Sequence, residues 1–321
     1  MIPKLQFVAA WSLMILTFSA CVPSNDAASV NGMPSISSPW RHWQPDRAPT
    51  AVILALHGFN DYSNAFQDFA GFARDRGIAV HAYDQRGFGA NPDAGLWPGM
   101  DRLVADLHGA VGDLRLIYPQ TPLYVLGESM GGAVTIVGAT SEAPLPVDGL
   151  ILVAPAVWGG SQLNAFYRAT LWLASTIAPG WKLSGSSLEI LPSDNIDMLR
   201  AFSADPLVIK GTRVDAIAGL VELMDQALLS VSDLDQEVLI LVGEKDEVVP
   251  AGAFTEMRER LHGKPCAEVS YPTGYHMLLR DLQRTVVFED VAAWIEGGVL
   301  LSTTEMACPS TDNDVAAGHD P

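Results

Sequence analysis

The chain has 321 residues, 49% of them hydrophobic, which suits one large α/β domain with room for an insertion. It carries 19 Lys+Arg against 37 Asp+Glu, a net charge of −18. Such a surface repels nucleic-acid phosphates and anionic lipid headgroups, so nucleic-acid binding and a polybasic membrane mode are excluded. There is no internal repeat, and no Cys/His spacing suits zinc, so no metal is expected.

Residues 1–21 read as a targeting segment. Lys4 precedes an apolar stretch from Phe7 to Phe18, broken only by Ser12 and Thr17. That length fits the core of a signal peptide and is short of the roughly 20 residues of a spanning helix. The stretch ends in Phe18-Ser19-Ala20-Cys21, which resembles the lipobox of bacterial lipoproteins, with Phe18 where that pattern has an aliphatic residue. The resemblance implies lipidation of Cys21 and a domain anchored to a membrane of the cell envelope, facing the periplasm or the exterior. Ordinary cleavage and an uncleaved anchor are the alternatives. Residues 22–39, rich in serine and proline, read as a flexible linker.

From Thr50 onward, short apolar runs alternate with helical patterns. The runs are Ala51–Leu56, Ile78–Tyr83, Leu123–Leu126, Leu150–Val153, Val238–Val242 and Ala267–Tyr271. The first five do not alternate in polarity, as expected of strands covered on both faces in a parallel sheet. Between them, Asp101–Tyr118 places Leu103, Leu107, Val111 and Leu114 on one helical stripe. The order predicts a doubly wound α/β core over 40–155 and 238–298, with chemistry at the carboxyl ends of the strands.

The insertion 156–237 is too long for a crossover and dense in aromatics, among them Trp158, Phe166, Trp172 and Trp181. Two readings stay open: a small helical core of its own, or a cap whose side chains line a slot for an acyl chain. Residues 299–321 read as a disordered tail. Cys266 and Cys308 either pair or stay free, and the free state is the expectation.

Gly127-Glu128-Ser129-Met130-Gly131-Gly132 stands between the run Leu123–Leu126 and the helical pattern Ala133–Val137. A strand, a sharp turn and a helix around Gly-x-Ser-x-Gly lift the serine hydroxyl clear of the sheet, so Ser129 is the candidate nucleophile. Chain order then asks for an acid and a histidine downstream. Of His262, His276 and His319, only His276 follows the last strand through a turn, Pro272-Thr273-Gly274-Tyr275, and it becomes the candidate base. Asp246, in the loop after Val238–Val242, is the candidate orienting acid, with Glu244 and Glu247 as solvated charges. The N–H groups of Met130 and of Phe59, in His57-Gly58-Phe59, are candidates for an oxyanion hole.

These blocks, with Asp84-Gln85-Arg86-Gly87-Phe88-Gly89, resemble the α/β-hydrolase superfamily over about residues 40–297, and within it the monoacylglycerol lipase and lysophospholipase group. The resemblance implies a Ser129, Asp246 and His276 triad, oxyanion donors Phe59 and Met130, an inserted cap, and no cofactor. Arg86 is expected to brace its loop. The implied activity is cleavage of carboxylic esters of single-chain lipids through an acyl-enzyme. An aminopeptidase on the same fold is the rival; it needs a cap acid for the substrate amine, and Glu189, Asp194, Asp197 and Asp215 are available. A lipid-anchored binding protein without turnover is the alternative of another class. Oligomeric state is left open.

Overall fold

Apolar side chains on both sides of nearly every strand require a sheet covered on both faces, and the protein has one. The structure, a computed structural model, describes residues 36–158, 165–184, 190–300 and 305–307. Ten strands and eight α-helices are named in chain order: β1 (Trp40–Trp43), β2 (Ala51–Leu56), α1 (Gln67–Asp75), β3 (Ile78–Tyr83), α2 (Met100–Ile117), β4 (Leu123–Glu128), α3 (Met130–Ala139) and β5 (Gly149–Val153). Then come α4 (Ala165–Ile177), β6 (Lys182–Leu183), α5 (Ile196–Ala204), β7 (Thr212–Arg213) and α6 (Val214–Ser230). The last are β8 (Val238–Gly243), α7 (Ala251–Arg260), β9 (Cys266–Tyr271), α8 (Arg284–Ile295) and β10 (Glu305–Ala307).

The main sheet runs β1-β3-β2-β4-β5-β8-β9-β10; β1 and β10 are antiparallel to their neighbours and the six central strands are parallel. In β2, Val52, Leu54 and Leu56 enter the layer shared with α2, α3 and α6, while Ile53 and Ala55 enter the layer shared with α1 and α8. This two-sided burial explains the unbroken apolar runs. All three candidate loops, after β4, β8 and β9, lie at the carboxyl ends of parallel strands.

Several boundaries differ from the sequence expectation. Helix α6 was assigned to the insertion, yet Leu223, Ala227 and Leu228 are buried in the main core with α3 residues. The insertion proper therefore ends near β7. The end of the expected linker is packed: Ile36 and Ser38 are buried, and the Pro39 carbonyl accepts from the Asp84 N–H at 2.9 Å. The tail is not wholly irregular, because β10 pairs antiparallel with β9. Cys266 is disulfide-bonded, which overturns the free-thiol expectation. Its partner lies outside the described residues, and the β9–β10 register ends with Ala307 opposite Ala267. The targeting segment, Cys21, most of the linker and Glu189 also lie outside the described residues.

Among the described residues, the large apolar side chains of α4 and of the turn after it do not form a closed core. Trp172, Leu173, Ile177 and Trp181 are exposed, while Ala174, Ser175 and Ala178 are more covered. Leu171 and Trp172 of α4, Val221 and Leu229 of α6, and Trp97 line a groove of about 590 Å³, which Asp215, Glu222 and Asp225 also line.

At the β1 edge, His42 and His81 stand directly across from each other, their Nδ1 atoms 2.7 Å apart. His81 is buried, and burial, helped by the charge of His42, pushes its pKa down to about 3. The unfolded chain takes up this proton near pH 6.5 and the folded chain does not, so stability is lost as pH falls from 6.5 towards 3. We expect the wild type to lose about 2 kcal/mol more than His81→Phe between pH 7 and pH 5, read from urea denaturation at both pH values.

Candidate active site

Strand β4 ends at Glu128 and helix α3 begins at Met130, leaving Ser129 alone to make the turn. Its backbone is in the left-handed half of conformational space, with φ 53° and ψ −116°. A β-carbon there is strained, and surrounding contacts must hold it. The Ser129 N–H donates to the Val153 carbonyl and its carbonyl accepts from the Ala156 N–H, both at 3.0 Å. The flanking glycines are required by space. A Cβ on Gly127 would stand 2.5 Å from the Gly131 carbonyl oxygen, and one on Gly131 would stand 2.1 Å from that of Leu56.

The structure brings Ser129, His276 and Asp246 together, although they are 147 and 30 residues apart in pairs. His276 Nε2 is 3.0 Å from Ser129 Oγ, and His276 Nδ1 is 2.7 Å from Asp246 Oδ2. The other oxygen, Asp246 Oδ1, accepts from the N–H groups of Val248 at 2.7 Å and Val249 at 2.9 Å. The two side chains of this hydrogen-bonded pair are almost wholly buried, so water does not compete for Nδ1. A carboxylate at Nδ1 holds the imidazole with its free lone pair on Nε2, facing the serine. Glu244 and Glu247 are exposed on the same loop, as the sequence predicts.

The loop after β2 closes against this turn, the ideal Cβ position of Gly58 lying 3.4 Å from Ser129 Cβ. His57 fixes the loop. Its Nε2 accepts from the Gln85 N–H at 2.9 Å, so its Nδ1–H donates to the Gly58 carbonyl at 2.8 Å. Burial holds this imidazole neutral, against the pull of Asp61. Gln85 returns the contact through Nε2 to the His57 carbonyl at 2.7 Å. Asp84 accepts from Ser63 and from the Ala90 N–H, and Arg86 forms a paired bond to Asp106, the bracing role expected of it. Phe59 therefore rests on a rigid frame. Met130 opens α3, where a helix leaves its first N–H groups without intrahelical acceptors.

A buried charged cluster escaped the sequence reading. Arg280 Nη2 lies 2.8 Å from Asp61 Oδ2 and 3.2 Å from Glu128 Oε2, joining the loop after β9 to the loop after β2 and to the residue before Ser129. Burial raises the Glu128 carboxyl pKa, with Arg280 opposing it. Burial also works against the Arg280 charge, but the two carboxylates outweigh it and raise its pKa. Arg280 also stands over the Phe202 ring of α5, 5.6 Å from its centroid. The available signal was a charged pair, Arg280-Asp281, ending the apolar run Met277-Leu278-Leu279. Among the described residues, no group of three or more His, Cys, Asp or Glu is placed to hold a metal ion.

The geometry has counterparts in known proteins. The family model described as serine aminopeptidase, S33, matches residues 47–283. A monoacylglycerol lipase of Mycolicibacterium smegmatis is 26% identical over 258 residues, covering 79% of this chain and 90% of that protein. The monoglyceride lipase of Homo sapiens is 24% identical over 266 residues, covering 79% and 85%. Among solved structures, a monoacylglycerol lipase of Paleococcus ferrophilus superposes with a TM-score of 0.70 at 20% identity, covering 82% of this chain and 99% of that one. That likeness shows an α/β-hydrolase fold.

Proposed function

Since the chain belongs to the serine aminopeptidase S33 family, we propose that it is a serine hydrolase cleaving carboxylic esters of single-chain lipids through an acyl-enzyme. The observation that carries this reading is the hydrogen-bonded series Ser129 Oγ, His276 and Asp246 at the carboxyl ends of β4, β9 and β8. His276 Nε2 takes the proton as Ser129 Oγ attacks the ester carbonyl carbon, and Asp246 stabilises the imidazolium. The N–H groups of Phe59 and Met130 receive the developing oxyanion. His276 then gives its proton to the leaving alcohol, and a water repeats the cycle to release the fatty acid.

The apolar stretch of the groove between α4 and α6, formed by Leu171, Trp172, Val221 and Leu229, supports an acyl chain as the group on the carbonyl side. Trp97, at its wall, stands edge-on to the Phe59 ring with centroids 6.4 Å apart, so the groove begins one ring away from the oxyanion loop. The relatives named monoacylglycerol and monoglyceride lipases agree with this class. The peptidase reading finds less support in the described cap acids. Asp197 pairs with Arg200, Asp215 pairs with Arg213, and Asp194 accepts from the Leu282 N–H. The binding-protein reading finds less support, because such proteins usually lose a triad residue and Ser129, Asp246 and His276 are all present and hydrogen-bonded.

A substrate-class screen tests the proposal, comparing long-chain monoacylglycerols and lysophospholipids with amino-acid anilides, and using Ser129→Ala as control. Fatty-acid release that the control loses is expected. Anilide cleavage with no ester cleavage would transfer the chain to the peptidase class. We further propose that Cys21 is lipidated and tethers the domain to the cell envelope. Cys21→Ser is then expected to change processing and to move the protein out of the membrane fraction.

A further inference from the structure

The turn that carries His276 has no regular secondary structure, so its position depends on what its backbone N–H groups find. Both neighbours of His276 are tied to the insertion, one directly and one through a carboxylate. The Met277 N–H donates to the Pro192 carbonyl at 2.9 Å. The Tyr275 N–H donates to Asp281 Oδ2 at 2.7 Å, and the other oxygen of that carboxylate accepts from Ser193 Oγ at 2.6 Å. Ser193 and Asp281 are fully buried. The carboxylate, closed to solvent, therefore has two partners: one beside the imidazole, one on the inserted segment.

The same segment grips the turn twice more. Asn195 Nδ2 donates to the Arg280 carbonyl at 3.0 Å, while its Oδ1 accepts from the Met198 N–H at 3.2 Å and caps α5. The Leu282 N–H donates to Asp194 Oδ1 at 2.8 Å. Four consecutive residues, Pro192 to Asn195, thus bond to four residues that follow His276: Met277, Asp281, Leu282 and Arg280. A histidine loop in this sheet needs only its strand and helix to exist; here it is completed by a piece of the insertion.

We propose that Ser193 and Asp281 are positioning residues for His276, through which the seating of the inserted segment sets the alignment of the imidazole. The proposal rests on the serine-hydrolase reading for the role of His276. Displacing 192–195 removes the acceptor of Met277 directly and loosens that of Tyr275 through the carboxylate. The imidazole then loses its line to Ser129 Oγ even though Asp246 is untouched. Turnover should thus require a seated insertion, whatever the size of the substrate.

The test uses the full chain and a short-chain 4-nitrophenyl ester, too small to need the acyl groove. Asp281→Ala is expected to lower kcat roughly 100-fold, the cost of about 1 Å of misplacement, with KM unchanged. Ser193→Ala is expected to lower kcat by a smaller factor in the same manner, and it decides the matter if Asp281→Ala does not fold. Asp281→Asn should recover most of kcat, because its oxygen still accepts from the Tyr275 N–H and its amide can donate to Ser193 Oγ. A purely electrostatic role would leave Asn as defective as Ala. The low-field proton NMR signal of the His276–Asp246 hydrogen bond gives a readout that needs no turnover, so a failure of the hydrolase reading is told apart from a failure of this one. That signal should weaken in Ser193→Ala and Asp281→Ala and return in Asp281→Asn. Unchanged kcat and an unchanged signal in both alanine variants, or no recovery with Asn, overturns the proposal.

Discussion

Replacing Ser129 with alanine is expected to lower ester turnover about a million-fold while the chain stays folded. The hydroxyl is the one atom in the site placed to attack, and its proton has one destination, His276 Nε2 at 3.0 Å. Alanine keeps the Cβ that the strained turn already accommodates, and the two backbone bonds that hold the turn, to Val153 and from Ala156, do not involve the side chain. Thermal stability should therefore move little, because one side-chain hydrogen bond is worth about 1 kcal/mol. The check is a pair of measurements on one preparation: loss of labelling by a fluorophosphonate together with an unshifted melting curve. A variant that still labels would place the nucleophile elsewhere.

Asp246→Asn is expected to cost roughly ten-thousand-fold in kcat, again without unfolding. Its environment dictates which way the amide turns. The N–H groups of Val248 and Val249 both point at Oδ1, so the amide oxygen must stay there. The NH2 group then faces His276 Nδ1, at the position of a carboxylate oxygen 2.7 Å away. Two donors cannot share that contact, so the imidazole moves its proton to Nε2. That nitrogen then points an N–H at Ser129 and can accept nothing. Active-site titration would show the same number of sites as wild type, with acylation slowed. A variant retaining wild-type kcat would mean that the contact between Asp246 and His276 serves only the fold.

The sheet was readable because burial on two faces leaves unbroken apolar runs, and the elbow because steric demand fixes glycine at 127 and 131. Asp246 and His276 followed from chain order and from the strands they terminate. The rest was hidden for physical reasons. Strand β10 has no apolar run of its own, since Glu305-Met306-Ala307 is ordered by pairing with β9. Helix α6 has the same stripe whether it covers a cap or a sheet; only its partner, α3, decides. Arg280 meets Asp61 and Glu128 across 219 and 152 residues, by subtraction of their numbers, and nothing local to any of them announces the pairing. Ser193 is one small polar residue in a long insertion until Asp281 arrives beside it.

Both rims of the main sheet end in short strands that run against their neighbours, four residues in β1 and three in β10. An open rim is a template for another chain's backbone, and brief antiparallel additions blunt it. Covering β9 matters most, since that strand leads into the histidine turn and is tied by a disulfide at Cys266. Trimming the chain after Leu300 would bare the β9 backbone, and the shortened protein should stack into aggregates through that rim before its chemistry failed.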